Sequence, residues 1–281
     1  MMKVIPTTDA IKAQIAEAQR AGKTIGFVPT MGALHEGHLA LMRQAKREND
    51  LLVVSIFVNP IQFNNMEDLK KYPRNIVQDS IMLESVGCDF LFAPDEQEMY
   101  PEPVTDQYEF GKLSEVMEGA SRPGHFNGVA IVVRKLLEIV EPDKAYFGEK
   151  DFQQLAIIQQ LVKNLLLPVE IVPCPIIREK DGLAMSSRNM RLTENERFNA
   201  PFIYQTLTKA VKLNTVLSPE ELKKWITDKF KSRPEFKIDY VEIAEDEQLQ
   251  TVTHWNDAKG VYIFIAVFLG NVRLIDNMRI F

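Results

Sequence analysis

His35 and His38 stand three residues apart in "PTMGALHEGHLALM" (29–42), beside Gly32 and Gly37, in a chain with four histidines. An apolar run ending in proline (23–30) precedes them. Leu39, Met42 and Ala45 follow at helical spacing. A strand that gives way to a helix near Gly37 leaves backbone N–H groups and the positive end of the helix dipole facing whatever lies there. That environment favours an anion such as phosphate, to which two imidazoles can donate hydrogen bonds. The glycines leave room for a close approach. By itself His-x-x-His leaves a metal pair or plain surface histidines open.

Other stretches carry complementary chemistry. In "GEKDFQQ" (148–154), Lys150 sits where a strand should yield to a helix and can hold a phosphate as a point charge. Asp151 is placed to cap that helix, and Gln153 and Gln154 read first as solvated amides. In "REKDGLAMSSRN" (178–189), Ser186, Ser187 and Arg188 offer two hydroxyls and a guanidinium, a set suited to phosphate oxygens. Alone it reads as a surface loop; at a domain junction, a mobile second domain can bring it onto a nucleotide. "NPIQF" (59–63) presents Asn59 and Gln62, which can orient a carboxylate or hydroxyl without adding charge. In "RPGHFNG" (122–128), Asn127 and His125 read as caps of the next helix. In "YPRNIVQD" (72–79), Asp79 reads as a solvated charge on a helix.

The elements that must position these groups alternate. Strands are expected over 23–30, 51–60, 88–94, 144–148 and 169–176, and helices over 37–50, 77–87, 127–142 and 151–167. Such alternation implies βαβ units, a parallel sheet and right-handed crossovers. Ligands then bind outside the carboxyl ends of the strands, near the point where strand order reverses. Segments 29–38, 59–63, 148–154 and 178–189 all follow expected strands. After about residue 177 the pattern changes. Thr193 with Glu196, and Ser218 with Glu221, form capping boxes, the second with Pro219 at the first helical position. Apolar runs over 236–245, 260–270 and 272–281 follow, with Gly270-Asn271 a hairpin signal between the last two. The expected class is α/β: a Rossmann-like parallel sheet with helices on both faces over 1–176. A smaller C-terminal α+β domain with antiparallel strands, 177–281, is expected to close over the site.

Composition narrows the partners. The chain has 281 residues, 46% hydrophobic and 26% charged, with a net charge of −6. The missing basic footprint argues against nucleic acid as a bulk partner. No apolar run has bilayer-crossing length, and the first residues lack the apolar segment of a signal peptide. Cys88 and Cys174 have no Cys or His neighbour at ligand spacing, so a reduced, cytoplasmic chain is the simple reading.

"PTMGALHEGH", "FVNPIQF", "YPR", "RPGHFNGV", "FGEKDFQQL" and "REKDGLAMSSRN" occur in this order between about residues 24 and 198. Together they resemble the pantoate–β-alanine ligases (pantothenate synthetases). Each motif alone is weak; their order makes the resemblance specific. The C-terminal third carries little signature and matches the family's smaller domain by position. The resemblance implies a Rossmann-type nucleotidyltransferase that joins (R)-pantoate to β-alanine with ATP. The products are pantothenate, AMP and pyrophosphate, formed through a pantoyl-adenylate. It further implies an ATP site of Met31, His35, His38, Gly148, Lys150, Asp151, Ile177, Met185, Ser186, Ser187 and Arg188, with His38, Lys150 and Arg188 catalytic. Asn59, Gln62, Tyr72 and Gln154 would hold pantoate or β-alanine. Asp79 would take part in Mg2+ binding, through the ATP phosphates or water. The family also implies a homodimer, to which the helix 127–140 or a strand 104–110 would contribute. Two rival readings stand beside it. One is a nucleotidyltransferase that adenylylates a phosphate and stops, against which "NPIQF" and "KDFQQ" speak. The other is a non-catalytic nucleotide-binding regulator, which would not need a complete charge-neutralising set.

Overall fold

The Leu, Val and Ile-rich run at 51–56 forms the kind of strand that both faces of a parallel sheet can bury. Residues 2–64 and 66–281 are described by the computed structural model. Strands β1 Lys3–Ile5, β2 Ile25–Thr30, β3 Leu51–Ile56, β4 Phe90–Phe92, β5 Lys144–Gly148 and β6 Glu170–Cys174 form one sheet in the order β1-β4-β3-β2-β5-β6. All of its pairings are parallel. Helix α1 Thr8–Arg20 precedes β2, and α2 Glu36–Glu48 joins β2 to β3. Helices α3 Met66–Lys71 and α4 Ile76–Ser85 join β3 to β4. Helices α5 Glu96–Met99, α6 Met117–Ser121 and α7 His125–Val140 lie between β4 and β5, and α8 Phe152–Leu165 between β5 and β6. The chain winds outward from β2 through β3 and β4, then returns to β5 on the other flank. The switch in strand order therefore falls between β2 and β5.

The expected face of α2 is the buried one: Leu39, Met42 and Ala45 pack with Val28, Val54, Leu83 and Leu91 against one side of the sheet. Helix α7 buries apolar residues from Phe126 to Val140 within the first unit. Residues 104–110, expected as a strand, have no regular structure. Pro101 and Pro103 lie just before them, and α7 side chains take their polar groups instead. Asn127 Oδ1 accepts from the Tyr108 amide at 2.8 Å, and Arg134 reaches Asp106 at 3.1 Å. Asn127 therefore anchors this stretch and does not cap α7.

The chain divides into two compact units. The first comprises Met1–Phe110, Arg122–Glu149 and Ile157–Pro175, and the second Gly111–Ser121, Lys150–Ala156 and Ile176–Phe281. In the second unit, β7 Phe236–Glu245, β8 Val261–Leu269 and β9 Val272–Arg279 form an antiparallel sheet in that order. Helix α9 Glu194–Asn199 opens on the Thr193 capping box and stops just before Pro201; α10 Phe202–Val211 follows it. Helix α11 Pro219–Lys231 opens on the Ser218 box. Leu222, Ile226 and Phe230 of α11 and Ile203 and Leu207 of α10 cover Ile243, Ile263 and Ile265 of the sheet. Leu269 pairs with Val272, so Gly270-Asn271 is the expected two-residue turn.

A buried charge cluster ties the short segment Gly111–Ser121 to this sheet. Arg273 of β9 makes a two-pronged pair with Glu118 at 2.7 and 2.9 Å, and the Tyr240 hydroxyl donates to the same carboxylate at 2.8 Å. Gln153 accepts from the Glu118 amide at 3.0 Å and donates to the carbonyls of Leu113 and Val116 at 2.8 and 2.9 Å. Gln153 is thus a buried clamp, not the solvated amide its position suggested.

Candidate active site

The carboxyl ends of β2, β3 and β5 carry most of the first unit's expected residues, Tyr72 and Asp79 excepted. Beyond Thr30 of β2 the backbone turns sharply: Gly32 and Ala33 both have positive φ, 78° and 51°. A left-handed alanine is strained, and such strain persists only where its surroundings hold it. Asp79, in the first turn of α4, does so. Its Oδ2 accepts from the Ala33 amide at 3.0 Å and its Oδ1 from the Leu34 amide at 2.9 Å. A Cβ on residue 32 would come within 2.9 Å of the same carboxylate. Asp79 is 3% exposed, so it is no solvated charge. Its two oxygens shape the loop that leads into the histidines.

Those histidines open α2. His35 is the N-cap, and its Nδ1 accepts from the Gly37 amide at 3.2 Å. His38 returns the contact, its Nδ1 accepting from the His35 amide at 3.4 Å. The rings lie 4.1 Å apart between centroids. Because both Nδ1 atoms accept, a neutral ring keeps its proton on Nε2. Each histidine is therefore set as an Nε2–H donor, the form a phosphate oxygen needs.

Past β3, the turn Pro60–Gln62 holds Asn59 and Gln62. Asn59 is 1% exposed and Gln62 8%. Asn59 Nδ2 donates to Gln62 Oε1 and to the Gly128 carbonyl, both at 3.1 Å. Gln62 Nε2 reaches Met31 Sδ at 2.9 Å. Met31, Asn59 and Gln62 are thus drawn together. The turn docks against α7 at Gly128, where a Cβ would lie 2.5 Å from the Ile61 carbonyl oxygen, so a side chain there would have to move backbone. His125, expected as a cap, bonds the Gln62 carbonyl through Nδ1 at 2.8 Å. A carbonyl only accepts, so Nδ1 carries the proton. Tyr72 packs edge-on against Phe63 at 5.9 Å. Gly148 ends β5, on the other side of the switch point.

The second unit holds Lys150, Asp151, Gln154, Ile177, Met185, Ser186, Ser187 and Arg188. Lys150 Nζ lies 3.6 Å from Asp151 Oδ1. Residues Arg178–Ala184 form a small hairpin closed by an antiparallel bridge, with the Met185 amide bonded to the Ile177 carbonyl at 2.9 Å. Ser186 Oγ accepts from the Arg188 amide at 3.2 Å and starts the 3-10 turn Ser187–Arg191. Two residues of β9, unmarked in the sequence, hold both groups. Asp276 takes a forked pair from Arg178 at 2.7 and 2.9 Å. Asn277 Nδ2 donates to the Lys150 carbonyl at 3.1 Å. Burial pushes the Asp276 carboxyl upward, and Arg178 pulls it back.

Among the described residues no three His, Cys, Asp or Glu side chains gather as a metal site. Both Asp79 oxygens are engaged by backbone amides, which commits the carboxylate to shaping the loop. Asp79→Asn should therefore act through the loop, because the amide keeps only one acceptor for two backbone donors. The KM for ATP is expected to rise about tenfold. A tenfold increase in magnesium should restore nothing; restoration would make Asp79 a metal ligand.

A family model described as pantoate-beta-alanine ligase matches residues 3–279. The chain is 49% identical over 278 residues to a pantothenate synthetase of Porphyromonas gingivalis, covering 99% of both chains. It is 50% identical over 278 residues to that of Bacteroides fragilis, again covering 99% of both. Among solved structures, pantothenate synthetase from Thermus thermophilus matches with a TM-score of 0.93 at 41% identity, over the whole of both chains. Pantoate-beta-alanine ligase from Francisella tularensis, complexed with beta-gamma ATP and beta-alanine, matches with a TM-score of 0.83 at 38% identity, over 100% of this chain and 98% of that one. With such likeness running through both units, the chain belongs to the pantoate–β-alanine ligase family.

Proposed function

We propose that this ligase condenses pantoate with β-alanine, using ATP and releasing AMP and pyrophosphate. One observation carries the reading: the end-to-end likeness to pantothenate synthetases coincides with a histidine cap and an amide turn at the carboxyl ends of β2 and β3. In the first step a pantoate carboxylate oxygen attacks the α-phosphorus, and pyrophosphate leaves. In the second the β-alanine amine, as the free base, attacks the acyl carbonyl, and AMP leaves. Both reactants of the first step are anions, so positioning and charge neutralisation are what the protein must supply.

His35 and His38 donate from Nε2 to the phosphates, beside Met31 and Gly148. Lys150 and Arg188, with Ser186 and Ser187, serve the same nucleotide from the second unit, whose closure over the site shields the mixed anhydride from water. Asp151, Ile177 and Met185 complete the nucleotide's surroundings. Gln62 and Gln154, supported by Asn59 and Tyr72, hold pantoate and β-alanine. Magnesium enters with the ATP phosphates as part of the substrate. The enzyme works as a cytoplasmic homodimer. No helix among the described residues is long and apolar enough to cross a membrane, and both cysteines are free and buried.

The test is pyrophosphate release from ATP. Release should require pantoate but not β-alanine, and pantothenate should form only once β-alanine is added. AMP release without pantoate, or adenylyl transfer to a phosphate, would overturn the reading. ATP binding without turnover under any substrate combination would favour the regulator.

A further inference from the structure

Tyr100 follows α5 and lies outside every motif considered above, yet its hydroxyl donates to Asn59 Oδ1 at 2.8 Å. The direction of that bond follows from one backbone group. The Gly128 carbonyl can only accept, so the Asn59 atom 3.1 Å from it is the amide nitrogen. The same nitrogen faces Gln62 at 3.1 Å, so the Gln62 atom there must be its oxygen. The Asn59 oxygen is then left facing Tyr100, which must donate. Burial raises the Tyr100 phenol, keeping it protonated, and the ring is packed against Phe57 and under the Lys135 ammonium. With its oxygen taken, Gln62 directs Nε2 toward Met31 Sδ at 2.9 Å and has a second N–H on that nitrogen.

We infer that Tyr100 is a positioning residue: through Asn59 it locks the Gln62 side-chain amide so that this group presents its Nε2 hydrogen-bond donors to substrate. The inference rests on the proposed function. It deepens that reading by fixing the chemistry of the substrate atom that Gln62 recognises. That atom is an acceptor, such as a carboxylate or hydroxyl oxygen of pantoate. The ammonium of β-alanine, which has donors only, is rejected at the same position. The lock sets which end of a small substrate can face Gln62, an oxygen and not an ammonium, a discrimination that mere shape would supply poorly.

The experiment measures steady-state pyrophosphate release and pantothenate formation for wild type, Tyr100→Phe and Gln62→Glu, with thermal midpoints alongside. Tyr100→Phe removes only the hydroxyl and leaves Asn59 Oδ1 without its donor. Its pantoate KM should rise about tenfold, with kcat and the β-alanine KM within about threefold of wild type. Gln62→Glu keeps the shape but turns the donor into an acceptor, and its pantoate KM should rise by about a hundredfold or more. An unchanged pantoate KM in either variant overturns the inference. So does an equal rise in both substrates' KM values, or loss of folding in Tyr100→Phe, which would give Tyr100 a purely structural role. Failure of the wild type itself to release pyrophosphate with pantoate would instead overturn the proposed function, so the two failures are distinguishable.

Discussion

Lys150→Ala is expected to slow pantoate-dependent pyrophosphate release by about 10²–10³-fold, the usual loss when a positioned charge is removed from a developing anion. The fold should survive. The Lys150 side chain is 17% exposed, and among the described residues the ion pair its Nζ makes is a long 3.6 Å contact with Asp151, itself 48% exposed. Ion pairs of that kind add little stability. The anchored part of the residue is its carbonyl, held by Asn277, and alanine keeps it. A single-turnover measurement with pantoate and without β-alanine isolates the first step. Release within threefold of wild type would remove Lys150 from the chemistry, provided the thermal midpoint has moved by no more than about 2 °C.

The largest stability effect is expected at Asp276. Its side chain is 2% exposed, and that of its partner Arg178 is 18% exposed. Arg178 also stacks over Tyr204 at 4.6 Å and donates to the Gly182 carbonyl at 3.1 Å. Asp276→Ala leaves this guanidinium largely buried with no counter-charge. Breaking a buried pair from one side costs roughly 3–5 kcal/mol. For a chain of this size that lowers the unfolding midpoint by on the order of 10 °C. Replacing both partners with apolar residues, as in Asp276→Leu with Arg178→Met, should recover most of the loss, because no charge is then stranded. A double variant as unstable as the single one would show that the uncompensated charge is not the cause.

Much of the fold was legible because its cues are local. The run at β3, the Thr193 and Ser218 boxes and the Gly270-Asn271 turn each carry their reason within a few residues. Strand β1 was not legible: it is three residues long, and its support is pairing with β4. Helix α1 buries Ile11, Ile15 and Ala18 at helical spacing but opens on Thr7, which makes no side-chain cap. Its pattern was available and its punctuation was weak. In the candidate site, the residues at strand ends announced themselves by type. Their supports did not, because the partners are remote in sequence. Tyr100 lies 41 residues from Asn59, Asp276 98 from Arg178, and Asn277 127 from Lys150. Asp79 and Gln153 had readable positions, but burial gave them tasks that spacing alone does not express.

The three-part make-up of the second unit bears on how such a chain can be inherited in pieces. A recombination event just before Ile176 would pass on the long C-terminal part from one parent. It would leave Glu118, Ser121 and Gln153 from the other. Glu118 would then meet a foreign β9, with no assurance of an arginine opposite it, and Ser121 a foreign β7. Exchange between diverged relatives is therefore expected to keep this buried pair only where Glu118 and Arg273 travel together. The pair makes a segment from the middle of the gene and its far end a single heritable block.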